Sequence, residues 1–263
     1  MSSDVKPKPS VREWSLERFR ELQRRPASKV PVSKRIAVVS TPRCGSTLFC
    51  SSLESTKLFG SPSEWFNTRH VEDYGTVWGL ENVHLGRYLN HVIEKTTTPN
   101  GVFSVNFHVS QYDFWKQQGF DIMSLRFDTV IYVYRRDKIA QGHSYAKALK
   151  TEQWQTLFAP RQDIGPEGIS TPLVLELAAK VAEEDLRFTS TFAPVIAASY
   201  AYEDYVENPE IYREALAVCG IDCPPSVGFS TPLAKLRDAA DEDRIAAIKA
   251  YVTGQPGGRE SVN

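Results

Sequence analysis

The chain has 263 residues, 41% of them hydrophobic and 24% charged, which is enough apolar mass for one large domain or a domain with appendages. A formal net charge of −1 gives no basic footprint for nucleic acid, so any polyanion site must be local. No apolar run approaches the roughly 18 residues of a membrane span, Met1 to Ser10 lacks a signal peptide's apolar centre, and Cys44, Cys50, Cys219 and Cys223 are too few for a disulfide framework; a cytoplasmic protein is expected.

Trp14 to Arg25 is charged and amphipathic, with Trp14, Leu16, Phe19 and Leu22 as its apolar set, and Pro26 and Pro31 close it off. This predicts an N-terminal helix and linker over 1–34. Arg35 to Ser40 reads as a strand, and a helix from Ser46 to Lys57 stops near Gly60 and Pro62. Asn82 to Lys95 carries Leu85, Leu89, Val92 and Ile93 at helical spacing; Val102 to His108 alternates like a strand. Thr129 to Tyr134 is a continuous β-branched and aromatic run, as in a strand buried on both faces.

Lys138 to Lys150 reads as a helix. Leu157 to Ser170, with two prolines and two glycines, reads as a long loop of the kind that often serves as a lid. Thr171-Pro172 supplies an N-cap followed by Pro at the first helical position, which opens a helix towards Phe192. Val195 to Ser199 reads as a short strand, Ile211 to Val218 and Glu242 to Val252 as helices, and 254–263 as a disordered tail. Strands interleaved with helices predict an α/β fold with right-handed crossovers and a mostly parallel sheet.

Two constellations carry chemistry. Ser40-Thr41-Pro42-Arg43-Cys44-Gly45-Ser46-Thr47 joins the first strand to its helix. Helix N-termini leave N–H groups without intrahelical partners, so such a turn forms an anion site. Arg43 supplies the cation, Gly45 the backbone freedom, and Ser46 and Thr47 the hydroxyls. The Lys of an ATP-type loop is missing, which argues for a phosphate site that does not serve Mg-ATP. The second constellation is Arg135-Arg136-Asp137, followed by Gln141 and Ser144, at the end of the buried strand. Ligands of open parallel sheets gather at the carboxyl ends of strands, and an Arg fork can hold a phosphate in two parallel hydrogen bonds. One ligand with two separated phosphates is expected.

With these residues the chain resembles the sulfotransferases that use 3′-phosphoadenosine 5′-phosphosulfate (PAPS), most closely the bacterial trehalose 2-sulfotransferase family. The resemblance is clearest over 40–66 and 132–154, with weaker echoes from Ala198 to Asp204 and from Pro232 to Asp238. It implies a P-loop-like three-layer sandwich spanning 35–253, with a mostly parallel central sheet flanked by helices. It places the donor's 5′-phosphosulfate on Arg43, Cys44, Gly45, Ser46 and Thr47, with Cys44 where the family usually has Ser. Arg135, or Arg136 in the alternative register, and Ser144 would hold the 3′-phosphate, and Lys235 or Arg237 would add a contact.

Pro62-Ser63-Glu64-Trp65-Phe66 is similar to the family's acceptor-side segment, which makes Glu64 the base for an acceptor hydroxyl or amine. Asn106 stands where family members often carry Lys, and His108, on the same strand face, is the candidate to act beside Glu64 as donor or base. The resemblance further implies transfer to a small-molecule or carbohydrate acceptor, adenosine 3′,5′-bisphosphate as product, no metal, and homodimers; an interface could use Trp14 and Phe19.

Rival readings stay open on the residues alone. A small-molecule kinase or a non-catalytic nucleotide-binding module would share the turn. Arg135 and Arg136 could instead pair with Glu203 and Asp204. Trp65, Phe66, Tyr74 and Trp78 either line an acceptor pocket or fill core. Cys44 as a phosphatase-type nucleophile would need an Arg shortly after it, and none occurs before Arg69. Cys219 and Cys223 have no second ligand pair for zinc.

Overall fold

The computed structural model describes residues 7–254. The elements in chain order are α1 (Val11–Arg24), β1 (Lys34–Ser40), α2 (Ser46–Ser55), α3 (Thr68–Trp78), α4 (Leu85–Thr96), β2 (Val102–His108), α5 (Val109–Gln117), β3 (Thr129–Tyr134), α6 (Lys138–Thr151), α7 (Thr171–Phe192), β4 (Ile196–Ala201), α8 (Tyr202–Glu207), α9 (Glu210–Val218) and α10 (Ala239–Thr253). Beyond Gly254, which caps α10 in the left-handed region, the expected tail lies outside the described residues. Among the described residues, no helix is long and apolar enough to cross a membrane.

The strands form one parallel sheet in the order β2-β1-β3-β4. Because β2 and β3 flank β1, the strand order reverses there, and the crevice beyond the strand carboxyl ends at such a point is where open α/β sheets bind ligands. The register sets Ser40 opposite His108 on one side and Val133 on the other. The residues after β1, β2 and β3 therefore emerge at one edge of the sheet.

Successive side chains of a strand point to opposite faces, and both faces are covered. Ala37 and Val39 of β1, with Phe103, Val105 and Phe107 of β2, pack with Phe19, Tyr74, Tyr88, Tyr112 and Phe188 from α1, α3, α4, α5 and α7. Ile36, Val38, Ile131 and Val133 pack on the opposite face with Phe49 and Leu53 of α2, Tyr205 of α8 and Leu216 of α9. The result is the expected helix–sheet–helix sandwich. Double burial explains the unbroken apolar runs Ile36 to Val39 in β1 and Val130 to Val133 in β3.

The chain divides into two compact units. One comprises Ser15–Arg136 and Glu183–Thr231 and contains the sheet; the other comprises Asp137–Ala182 with the described parts of Met1–Trp14 and Pro232–Asn263. The second has its own small core of Ala146, Ile169, Val174, Leu177 and Ile248. Within it, a Cβ on Gly142 would come within 2.4 Å of the Val174 carbonyl oxygen. Gly142 is therefore a close-approach position between α6 and α7.

Several elements differ from the sequence-based expectation. The helix expected from Asn82 begins at Leu85, and α2 ends at Ser55, two residues before Lys57, which takes a left-handed conformation (φ 61°). Helices α3, α5 and α8 were not anticipated. Asn67 caps α3 by accepting from Arg69 N–H, and Gly79 ends it in the left-handed region, so its start and stop signals were present. α5 follows β2 with no intervening residue and α8 has six residues, too short for a period to show.

Candidate active site

The turn between β1 and α2 is built by its main chain. Arg43 and Gly45 both have positive φ, 64° and 95°. At Gly45 only glycine fits for two reasons: the left-handed backbone disfavours a side chain, and a Cβ would lie 2.3 Å from Tyr202 Cδ2 and 2.5 Å from the Tyr205 hydroxyl. Gly45 is the N-cap of α2 and no side-chain hydrogen bond caps the helix, so its first turn lies at the positive end of the helix dipole without a capping side chain.

The turn is held from beneath. Thr41 Oγ1 donates to Asp185 Oδ1 at 3.0 Å, Cys44 Sγ donates to the Val133 carbonyl at 3.4 Å, and Tyr205 Oη donates to the Cys44 carbonyl at 3.3 Å. Asp185 also accepts from the hydroxyl of Tyr132. Cys44 is fully buried, and burial pushes its thiol up from the usual value. A buried thiol whose proton is held more tightly is a poor nucleophile.

Arg135, just past β3, is 6% exposed; its guanidinium lies 4.7 Å from the centre of the Tyr202 ring and its Nε is 4.0 Å from Glu203 Oε1. Arg136 also lies near Glu203, its Nε 3.9 Å from Oε2, but its terminal nitrogens are taken by another carboxylate. Both its terminal nitrogens donate to the Asp204 carboxylate, at 2.7 and 2.5 Å, and its side chain is half exposed. Burial and the nearby Arg135 charge lower Arg43 to about 10, with Glu64 opposing them. Two cations are thus crowded against each other at the start of α2, an arrangement that a bound polyanion would relieve.

Glu64 sits on a segment fixed by hydrogen bonds at almost every residue. Asn106 N–H donates to the Ser63 carbonyl (2.9 Å), Trp65 Nε1 to the Ser61 carbonyl (3.0 Å), the Tyr88 hydroxyl to the Trp65 carbonyl (2.7 Å) and Trp115 Nε1 to the Phe66 carbonyl (2.7 Å). Trp65, Phe66 and Tyr74 are 1%, 0% and 0% exposed, and Trp78 stacks on Tyr74. Of the two readings left open for these aromatics, core filling is the one observed.

Around the Glu64 carboxylate, Oε2 accepts from Gln111 Nε2 at 2.9 Å and Asn67 Nδ2 at 3.3 Å, and His108 Nδ1 lies 3.8 Å away. Burial pushes Glu64 up, but His108, His70 and the two amide donors outweigh it and hold the carboxyl below the usual range. His70, which contacts the Glu64 carbonyl at 2.9 Å, is itself pushed down by burial and by Arg18. At neutral pH it is uncharged, and it supports the carboxylate only on acidification.

Glu64, His108, Arg43, the turn residues Gly45 to Thr47, and Arg135 all belong to the unit that holds the sheet. Ser144 on α6, Lys235 and Arg237 belong to the other, where Lys235 and Arg237 both pair with Glu242, at 2.5 and 3.3 Å. Asn106 turns to the α2 face of the sheet, with Nδ2 3.5 Å from Ser46 Oγ.

Sequence reasoning missed Gln111 and Asp185, whose partners are distant in the chain. It also missed a cavity of about 240 Å³ beside α2, lined by Leu48, Ser52, Tyr205, Tyr212 and Phe229. The one residue that adjacency in sequence offered was Leu48, directly after Thr47.

A family model described as Stf0 sulphotransferase matches residues 36–167. Among solved structures, the chain is similar to a sulfotransferase domain from the curacin biosynthetic pathway: 15% identity over 75% of this chain and 77% of that one, TM-score 0.48. It is also similar to a sulfotransferase domain from the Synechococcus PCC 7002 olefin synthase: 15% identity over 87% and 98%, TM-score 0.42. No curated protein matches significantly. The matched family model begins in β1 and runs through the phosphate turn, Glu64, His108, β3 and α6, half of the chain and nearly all of the site just described; the chain belongs to the Stf0 sulphotransferase family and is a sulfotransferase.

Proposed function

We propose that the protein moves the sulfuryl group of PAPS to a hydroxyl, or an amine, of a small-molecule or carbohydrate acceptor. The observation that carries this reading is the convergence of Arg43 and Arg135 at the uncapped start of α2, with burial and Arg135 lowering Arg43 to about 10. A donor bearing phosphates at both its 5′ and 3′ positions uses two cations where a mononucleotide needs one. Arg43 and the N–H groups of Gly45 to Thr47 take the 5′ end; Arg135 takes the 3′-phosphate, since Arg136 is engaged by Asp204. The aromatic-lined cavity beside α2 suits a flat purine.

When bound, PAPS supplies an activated S–O bond whose cleavage leaves a phosphate. Glu64, ionised at neutral pH, accepts the acceptor's proton as the acceptor oxygen forms its bond to sulfur. The bond from sulfur to the bridging oxygen breaks, and its electron pair stays on the departing phosphate. Arg43 and the turn amides stabilise that developing charge, a preorganised electrostatic effect of the kind that loose phosphoryl-type transfer depends on. The positioned carboxylate contributes roughly 10²–10⁴-fold. His108, beside Glu64, steadies the carboxylate.

Calorimetric titration with adenosine 3′,5′-bisphosphate, beside AMP and Mg-ATP, tests the donor assignment. Preferential binding of the bisphosphate is expected, followed by sulfuryl transfer from PAPS in an acceptor screen. Preference for Mg-ATP would return the chain to the kinase reading, and tight bisphosphate binding without transfer to any acceptor would favour a nucleotide-binding module.

A further inference from the structure

The carboxylate of Glu64 is held asymmetrically. Gln111 and Asn67 both donate to Oε2, and His108 Nδ1 also lies nearest that atom. Among the described residues no hydrogen bond reaches Oε1. The asymmetry has a specific origin in Gln111, whose Oε1 accepts the main-chain N–H of His108 at 3.2 Å while its Nε2 donates to Glu64 at 2.9 Å. A side-chain amide has one acceptor end and one donor end. Because a backbone N–H can only donate, it claims the oxygen of Gln111 and leaves the NH₂ facing the carboxylate. The junction of β2 and α5 thus fixes which end of the amide Glu64 meets.

We propose that Gln111 is a positioning residue that loads Oε2 of Glu64 and so reserves Oε1 to receive the acceptor's proton. This rests on the reading of Glu64 as the base. A carboxylate whose two oxygens were equally solvated would present either one, in either rotamer, to the acceptor. Here one oxygen is occupied by donors that do not titrate, and the other is left for the proton.

The charged and titratable groups acting on this carboxylate come from every side. Arg18 on α1 and Arg43 in the turn both interact with Glu64, as do Cys50 on α2, His70 on α3 and His108 at the end of β2. Gln111 and Asn67, unlike these groups, carry no titratable proton. The amides therefore make the pH-independent contribution that keeps Glu64 ionised.

The test reads Glu64 directly and needs no acceptor. The full chain carrying ¹³C-carboxyl glutamate is titrated by NMR, with the Glu64 resonance assigned from its loss in Glu64→Gln. In Gln111→Met, which keeps the length and removes the donor, the Glu64 midpoint is expected to rise by about one unit, a tenfold gain in proton affinity. In Gln111→Glu, which sets a second carboxylate against the first, it should rise further. In the wild-type protein the Gln111 side-chain NH₂ resonances should move with the Glu64 midpoint.

Unmoved midpoints in the folded variants, or wild-type NH₂ resonances indifferent to the Glu64 titration, would overturn the inference even if Glu64→Gln abolishes transfer. Intact transfer in Glu64→Gln would instead overturn the base reading beneath it, whatever the titrations show.

Discussion

The turn to which the proposed reading assigns the donor and the carboxylate to which it assigns the acceptor are built by opposite means. Around Arg43 and Gly45 the groups proposed to meet the donor are main-chain amides and two guanidinium groups, while Thr41, Cys44 and Tyr205 make the hydrogen bonds that hold the loop. Around Glu64 the main-chain carbonyls of Ser63 to Phe66 are engaged elsewhere, and the carboxylate is surrounded by side chains: Asn67 before α3, His108 at the end of β2 and Gln111 on α5. A backbone site recognises what every donor of one kind shares. A side-chain site can be rebuilt without disturbing the fold, so under the proposed reading acceptor chemistry could vary while the turn stays.

Separate substitutions should therefore separate the two functions. The largest effect is expected in Glu64→Gln: turnover falls by roughly 10²–10⁴-fold while affinity for adenosine 3′,5′-bisphosphate is retained. Unchanged turnover would take Glu64 out of the mechanism. Arg135→Ala should do the reverse, weakening the bisphosphate by roughly 10- to 150-fold through loss of charge-assisted hydrogen bonds, as read by calorimetry. A loss confined to the acceptor would break the comparison.

Two smaller effects sharpen it. Glu64 has a folded-state value below its unfolded one, so its contribution to stability is complete above the ordinary carboxylate range and is lost as pH falls through the folded value. Urea unfolding of wild type and Glu64→Gln should diverge above about pH 5 and converge as the acid limit is approached. The pH-rate profile should likewise hold its plateau down through the usual carboxylate range. Smallest of all is Arg136→Ala: its pair with Asp204 is solvent-exposed and screened, so bisphosphate affinity and unfolding midpoint should barely move, in contrast with Arg135→Ala.

The same contrast explains what could be read from the sequence. The donor turn is contiguous, follows a strand whose apolar run marks it as buried, and ends at a helix start, so Arg43 to Thr47 stood out as a unit. Strands β2 and β3 occupy the residues their alternation and β-branched composition indicate. Burial separates Arg135 from Arg136, which adjacent positions in a sequence cannot do. Gln111 carried no signal at all: it lies outside any motif, on a nine-residue helix too short to show a period, and its meaning arises only when β2 brings it to Glu64. Asp185 was equally silent, because its partners come from the turn after β1 (Thr41) and from β3 (Tyr132), both distant in the chain.

The strand order also governs how the molecule comes into being. β1 is the centre of the sheet, yet its neighbours arrive late: Ser40 waits for His108 on one side and Val133 on the other, and β3 waits in turn for β4, where Val133 meets Tyr200. Local pairing cannot nucleate such a sheet, and topologies rich in distant contacts fold slowly. During synthesis the apolar β1 would have no partner strand until β2 has left the ribosome, and the sheet would close only after β4 has followed. Folding should therefore come late in translation, with a long interval in which β1 depends on its own helix, α2, for cover.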